Sequence, residues 1–375
     1  MRKNILISTT RQWNPGDEFI MNGALNIIET IMGDQFNPII FNRNPDIRGG
    51  ASFRNCSRNL GFTNKWDNAS FKGKGGLQEL LRIGHYDNSW KDDMNSGNID
   101  FALFAGSPEW YSTRLRPMYQ AIEQSNLPVL FLGIGAGDNR DFQEADPAVR
   151  RVLSRAKLIT VRDHITEQLL HDYGAVYLPC PALLSAKKNR VVKEVQKIGL
   201  IYTTDKTVKG HCVSTEMHDY LLKLYPELIK RYQCAIVCHY IDELDQASLE
   251  FPDTDIFYSY DSKDYERIFN NFDLVIGGRV HGIGISASLG IPGIMIKHDS
   301  RSSTTDGFCA ESISINTEVQ KVVELVEKYQ SNIETYSKRL VAHKQAVMDQ
   351  YVQLLQEKAG DLFSTQRMSM ENTNR

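Results

Sequence analysis

Asp273-Leu274-Val275-Ile276-Gly277-Gly278-Arg279-Val280-His281-Gly282-Ile283-Gly284 is the stretch from which the rest of the chain is best read. Its opening run, Asp273–Ile276, is apolar without alternation, as expected of a strand covered on both faces. The glycines that follow let backbone approach a ligand closely. Ile285-Ser286-Ala287-Ser288-Leu289 continues as a helix of small residues whose start offers free N–H groups to an anion. Ligands of open parallel sheets bind outside the carboxyl ends of the strands, so Arg279 and His281 stand at the mouth of such a crevice. An Arg fork suits phosphate or carboxylate, and a nearby His exchanges a proton near neutral pH. The plainer alternative is that Arg279 pairs with a carboxylate between domains and His281 caps a turn.

Outward from this stretch, short apolar runs alternate with amphipathic ones. Strands are expected near 5–8, 38–41, 100–104, 128–133, 157–161 and 175–178, with helices near 18–32, 113–125, 147–156 and 163–173. A second series has strands near 198–202, 234–238, 255–258, 272–276 and 293–296, with helices near 215–231, 262–271 and 281–289. Strand–helix alternation at this spacing argues for parallel sheets. The break falls at Ser185–Gln196, where Ala186-Lys187-Lys188-Asn189-Arg190 is polar and charged. The expected units are therefore 1–185, 186–316 and a closing region 317–375 of two long helices and a frayed tail. The last helix carries Tyr336, Leu340, Val347, Tyr351 and Leu354 on one side. Residues 42–98 interrupt the rhythm. They are rich in Asn, Gly, Arg and aromatics, and read either as a solvated loop or as a binding loop for a polyhydroxylated acceptor.

Bulk properties narrow the class. At 375 residues, two domains are the natural expectation. A net charge of −3 exerts no general pull on nucleic acid, so an anion site needs a local cluster of cations. The six cysteines form no CxxC pattern and read as reduced thiols of a cytoplasmic protein. Ile5-Leu6-Ile7 is too short for a signal-peptide core and no later run approaches a membrane span, which leaves room only for transient contact with a membrane surface. Nothing in the sequence specifies an oligomeric state.

Four ordered elements carry a resemblance. Gly277–Gly282, a Gly-x-Arg-x-His-Gly run followed by the small-residue helix and Gly290-Ile291-Pro292, is similar to the C-terminal signature of the polysaccharide pyruvyl transferase family. Asn14-Pro15-Gly16-Asp17 resembles that family's Asn-x-Gly-Asp element, and Val161-Arg162-Asp163 its central Val-Arg-Asp element. Lys297-His298-Asp299-Ser300-Arg301 occupies the place of its polar loop. Two places depart from the family pattern: Ala105-Gly106-Ser107-Pro108-Glu109 replaces a run of glycines, and Cys180-Pro181-Ala182 replaces Asp-Pro-Ala.

The resemblance implies a GT-B-like α/β fold, two Rossmann-like domains with parallel sheets facing across a cleft. It implies phosphoenolpyruvate as donor, with no other cofactor and no metal, and a saccharide acceptor ketalised on the N-terminal side. Its site residues are Arg279, His281 and Arg162, with Asn14, Gly16, Gly278, Gly282, Asp299 and Arg301 around them. The residue types suit that chemistry: two arginines hold a donor with two anionic groups, and His281 protonates its methylene carbon. Asp17 either takes an acceptor proton or simply caps the helix starting at Glu18. Two other classes stay open. One is a GT-B glycosyltransferase whose Arg279 faces the diphosphate of a nucleotide sugar. The other is a non-catalytic binding protein using the 42–98 insertion.

Some signals carry less. Gly133-Ile134-Gly135-Ala136-Gly137 lacks the third glycine of a dinucleotide loop and reads as a cleft-lining turn. Cys234, Cys238 and His239 flank a strand, where ligands four apart do not converge as in a zinc knuckle, so a buried-core reading is preferred.

Overall fold

In this computed structural model, which describes residues 2–9, 14–42, 94, 97–106, 115–136, 142, 145–206 and 213–364, the strand–helix alternation becomes two six-stranded sheets. Strands β1 Lys3–Thr9, β2 Phe36–Asn42, β3 Phe101–Ala105, β4 Val129–Ile134, β5 Leu158–Val161 and β6 Val176–Tyr177 form the first, in the order β2-β1-β3-β4-β5-β6. Strands β7 Ile198–Ile201, β8 Cys234–Val237, β9 Ile256–Phe257, β10 Leu274–Gly277, β11 Gly293–Lys297 and β12 Glu311–Ser314 form the second, in the order β12-β11-β10-β7-β8-β9. Every pairing is parallel. The inner strands β3, β4, β5, β7 and β10 are buried along their whole length, which their unbroken apolar runs required. Strand order reverses between β1 and β3 in one sheet and between β7 and β10 in the other, so each sheet has a switch-point crevice.

Helices α1 Pro15–Met32, α2 Arg116–Gln124, α3 Pro147–Ser154, α4 His164–Leu169, α5 Thr215–Arg231, α6 Asp242–Glu250, α7 Asp264–Phe269, α8 Val280–Ser288 and α9 Val319–Phe363 cover the sheets. In α8 every residue from Gly282 to Ser288 is buried. Its small side chains let it lie between α1, the 3-10 turn Pro181–Leu184 and the Ser300–Phe308 turn. One apolar cluster runs from Ile5, Phe101 and Leu130 of the first sheet, through α1 and α8, to Leu200 and Ile276 of the second.

The helix α9 binds the segment between the sheets. Ser337, Lys344 and Tyr351 recur every seventh residue and so share one side of the helix. Ser337 Oγ accepts from Val192 N (2.9 Å) and donates to Gly290 O (2.6 Å). Lys344 Nζ donates to Ala186 O and Ser288 O, both at 2.6 Å, and Tyr351 Oη to Pro179 O at 2.9 Å. Beyond them Phe363 packs edge-on against Phe101 of β3, with ring centroids 6.0 Å apart. None of the described helices is long and apolar enough to cross a membrane.

Several expectations change. The two closing helices are one 45-residue helix with a local break at Ala359 (φ −140°, ψ 20°). Its apolar stripe uses Leu355 as well as Leu340, Val347 and Tyr351, while Leu354 and Tyr336 are only partly buried. The helix expected over 163–173 stops at Leu169 and continues as the 3-10 turn His171–Tyr173. Helix α6 and edge strand β12 were not expected. Residues 43–93, which hold most of the supposed binding insertion, lie outside the described residues, as do 107–109 and the tail after 364.

Candidate functional site

Arg279 leaves the sheet at the β7/β10 switch point. It is the residue before α8, with extended backbone (φ −94°, ψ 110°), and its side chain does not cap the helix. The guanidinium is held from two sides. Its Nη2 donates to Glu243 Oε1 at 2.5 Å, and its Cζ lies 4.7 Å from the centre of the Tyr240 ring. Glu243, in the first turn of α6, is fully buried. Its other oxygen, Oε2, accepts from His239 N (2.8 Å) and Tyr240 N (3.0 Å), which ties the loop after β8 to the arginine. The plainer reading of Arg279 was right that a carboxylate pairs with it. That carboxylate belongs to the same sheet's helices, and Arg279 still faces the cavity.

The first sheet supplies the opposite wall. Asn14 caps α1, its Oδ1 accepting from Gly16 N at 3.0 Å. The same Oδ1 lies 3.3 Å from the Tyr240 hydroxyl, which donates across the gap. Gly16 permits a close approach, because a Cβ there would lie 2.3 Å from His281 Nδ1. Arg162 follows β5 and is 3% exposed; its Nη1 sits 3.1 Å from His281 Nε2. A guanidinium has no acceptor, so His281 Nε2 must accept and Nδ1 carries the imidazole proton. Gly135 makes room for this arginine, since a Cβ there would meet Arg162 Nε at 2.4 Å. Gly135 of the turn after β4 thus accommodates a guanidinium.

These walls and the loop after β11 line a small, partly open cavity of about 60 Å³. Of the residues singled out from sequence, Asn14, Gly16, Arg162, Gly278, Arg279, His281, Asp299 and Arg301 line it. Asp299 caps the turn that follows, accepting from Arg301 N at 3.0 Å, and its carboxylate pairs with the Arg301 guanidinium. Two singled-out residues stand behind the wall. Gly282 packs on β7 and His239, where a Cβ would meet Ile201 Cδ1 at 2.5 Å. Asp17 is 2% exposed inside the first turn of α1, and the capping alternative for it fails because Asn14 is the cap. Sequence reasoning missed Tyr240 and Glu243 and placed His239 in the core. His239 is indeed 3% exposed and ringed by Phe19, Tyr265 and Phe269, but it also lines the cavity.

The electrostatics are lopsided. Three arginines, two of them deeply buried, converge on the cavity. Burial and then Arg162 depress the His281 imidazole to about 3, against the opposing pull of Asp17. His239 is likewise pushed to about 3, by burial and then Arg279. Both rings are therefore neutral at pH 7. Burial alone would depress the Arg279 guanidinium, but Glu243 and Tyr240 outweigh it and raise its pKa. Three buried nitrogens of lining residues, Arg162 Nε, Arg279 Nε and His239 Nε2, have no hydrogen-bond partner. Fixed positive charge converging on one cavity is an arrangement that suits an anion.

Comparison with known proteins agrees with this architecture. A family model described as polysaccharide pyruvyl transferase matches residues 14–300. The UDP-GlcNAc 2-epimerase from Neisseria meningitidis bound to UDP-GlcNAc superposes with a TM-score of 0.53 at 10% identity, over 95% of this chain and 100% of that one. The S. aureus MnaA–UDP co-structure gives 0.52 at 14% identity, over 96% and 99%. At these identities the likeness is one of fold alone, and that fold is GT-B-like. No curated protein matches the sequence significantly.

Proposed function

Given that the chain belongs to the polysaccharide pyruvyl transferase family, we propose that it moves a pyruvyl group from phosphoenolpyruvate onto two saccharide hydroxyls, as a ketal. The acceptor is a surface polysaccharide or glycan precursor, and the setting is cytoplasmic. One observation carries the reading: guanidinium groups from both halves of the molecule share a cavity with the His281 imidazole at a sheet switch point. Phosphoenolpyruvate bears a phosphate and a carboxylate on three carbons, and fixed cations on two walls suit that pair of charges.

Arg162, Arg279 and Arg301 hold the two anionic groups. Once the donor occupies Arg162, His281 Nε2 loses its partner and the guanidinium field is cancelled. Both changes lift the imidazole toward neutral pH, where it takes a proton and delivers it to the donor's methylene carbon. The C2 cation that forms is attacked by one acceptor hydroxyl. Phosphate then leaves and the second hydroxyl closes the ring. Of the two hydroxyl protons released, one replaces the proton given to the methyl group and the other leaves with phosphate. Asp17, behind the wall, is placed to stabilise a protonated His281 rather than to touch the acceptor.

The test is phosphate release from phosphoenolpyruvate in the presence of a saccharide pool, with the ketal identified by mass. Arg279→Ala is expected to raise the donor KM at least tenfold with the fold unchanged by circular dichroism, about the loss of one charge-assisted contact. If a nucleoside diphosphate stabilises the protein and phosphoenolpyruvate does nothing, the nucleotide-sugar transferase replaces this reading.

A further inference from the structure

We infer that Glu243 is a positioning residue for the donor, holding the Arg279 guanidinium in the one orientation that presents its remaining edge to the cavity. The inference takes from the pyruvyl reading only the identity of the anion. Its basis is how the carboxylate is spent. Glu243 is fully buried, and each of its oxygens has a separate task. Oε2 accepts two main-chain N–H groups, from His239 and Tyr240, which fixes the carboxylate to the loop after β8. Oε1 receives Arg279 Nη2. The loop so fixed carries the Tyr240 ring, whose face lies 4.7 Å from the guanidinium carbon. The fork is thereby held at two points before a ligand arrives, while Arg279 Nε is left with no partner. An unrestrained arginine loses rotamer freedom on binding, and a pre-oriented one does not.

The amide isostere separates this role from plain charge balance. A carboxylate offers two acceptor oxygens, whereas glutamine offers one oxygen and one NH2 group. In Glu243→Gln the two main-chain N–H groups claim the oxygen, and the NH2 group faces Arg279, donor against donor. The loop stays tied while the fork turns away.

The experiment is a double-mutant cycle on the full chain, read as dissociation constants for phosphoenolpyruvate, with inorganic phosphate and UDP as second and third probes. Glu243→Gln is expected to weaken donor binding about tenfold, with kcat at saturating donor within about threefold of the parent. In an Arg279→Met background the same change should alter donor binding less than about twofold, because Glu243 acts through Arg279. Should Glu243→Gln fail to fold, Glu243→Asp takes its place. It keeps the charge and the main-chain bonds but falls one methylene short of the fork, and the same loss is expected.

Unchanged donor affinity in the single variant, or a full tenfold loss in both backgrounds, overturns the inference. If the parent binds inorganic phosphate or UDP but not phosphoenolpyruvate, the pyruvyl reading falls, and the cycle judges Glu243 on the anion that does bind. A parent that binds none of the three overturns both.

Discussion

At the scale of single residues, the contact between Arg162 and His281 is the most consequential in the molecule. It joins residues 119 apart in sequence, one after β5 and one at the start of α8, at 3.1 Å. It forces the imidazole to be neutral and sets its tautomer. Donor binding should therefore be linked to proton uptake. The free ring titrates at about 3, so at pH 7 it holds no extra proton, and filling the cavity with negative charge raises that value. Calorimetric titration in two buffers of different ionisation enthalpy is expected to show up to one proton taken up near pH 7, with donor affinity strengthening as pH falls toward 6. A His281→Asn variant should bind the donor without that uptake. Uptake unaltered in the variant would assign the proton to another group. The sequence made Arg279 and His281 legible, because glycine–arginine–x–histidine after a strand is a local pattern, whereas Arg162 was singled out only through the family resemblance. It could not disclose Glu243, which meets Arg279 only because β8 and β10 flank β7.

At the scale of elements, what the sequence hid follows from missing local signals. Helix α6 has no side-chain cap at Ile241 and begins Asp242-Glu243-Leu244-Asp245 with no clear apolar period. Strand β12 is Glu311-Ser312-Ile313-Ser314, with Ile313 its only buried residue, as suits an edge. The inner strands were readable from their apolar runs, whereas α1 was expected only from Glu18 although the Asn14-Pro15 cap signal starts it three residues earlier. The stripe on α9 was read as purely apolar, yet its middle holds Ser337 and Lys344. Burial lowers the Lys344 pKa to about 8, and its ammonium bridges the end of α8 to the linker at Ala186. Replacing Lys344 with Met keeps the stem but orphans two carbonyls, at a cost of about 2 kcal/mol. Urea denaturation should show the midpoint falling with the slope unchanged. A midpoint equal to the parent's would mean that water replaces the ammonium without loss.

At the scale of the whole molecule, the two sheets share one apolar cluster, while the other face of the first sheet has a second around Leu6, Phe104 and Phe131. The apolar cluster that begins at Ile5 passes through α1, α8 and α9 to Ile296. The distal part of α9 then returns to the first sheet, where Tyr351 and Phe363 are seated and Asp361 pairs with Lys157 at 3.0 Å. Thermal unfolding is therefore expected to be a single transition, with calorimetric and van't Hoff enthalpies in agreement. Truncation before Tyr351 should lower the midpoint for probes in both halves, since it uncovers apolar surface of the first sheet worth several kcal/mol at about 25 cal/mol per Å². Two resolved transitions in the intact chain would show instead that the shared core is not cooperative.

That returning helix also bears on how the protein is made. The β-strands of the first half leave the ribosome long before Tyr351 and Phe363, the side chains that close over them. At ordinary elongation rates the interval is on the order of ten seconds or more. Throughout it the nascent amino-terminal half lacks the contacts that α9 makes with it, so its final packing waits until α9 emerges.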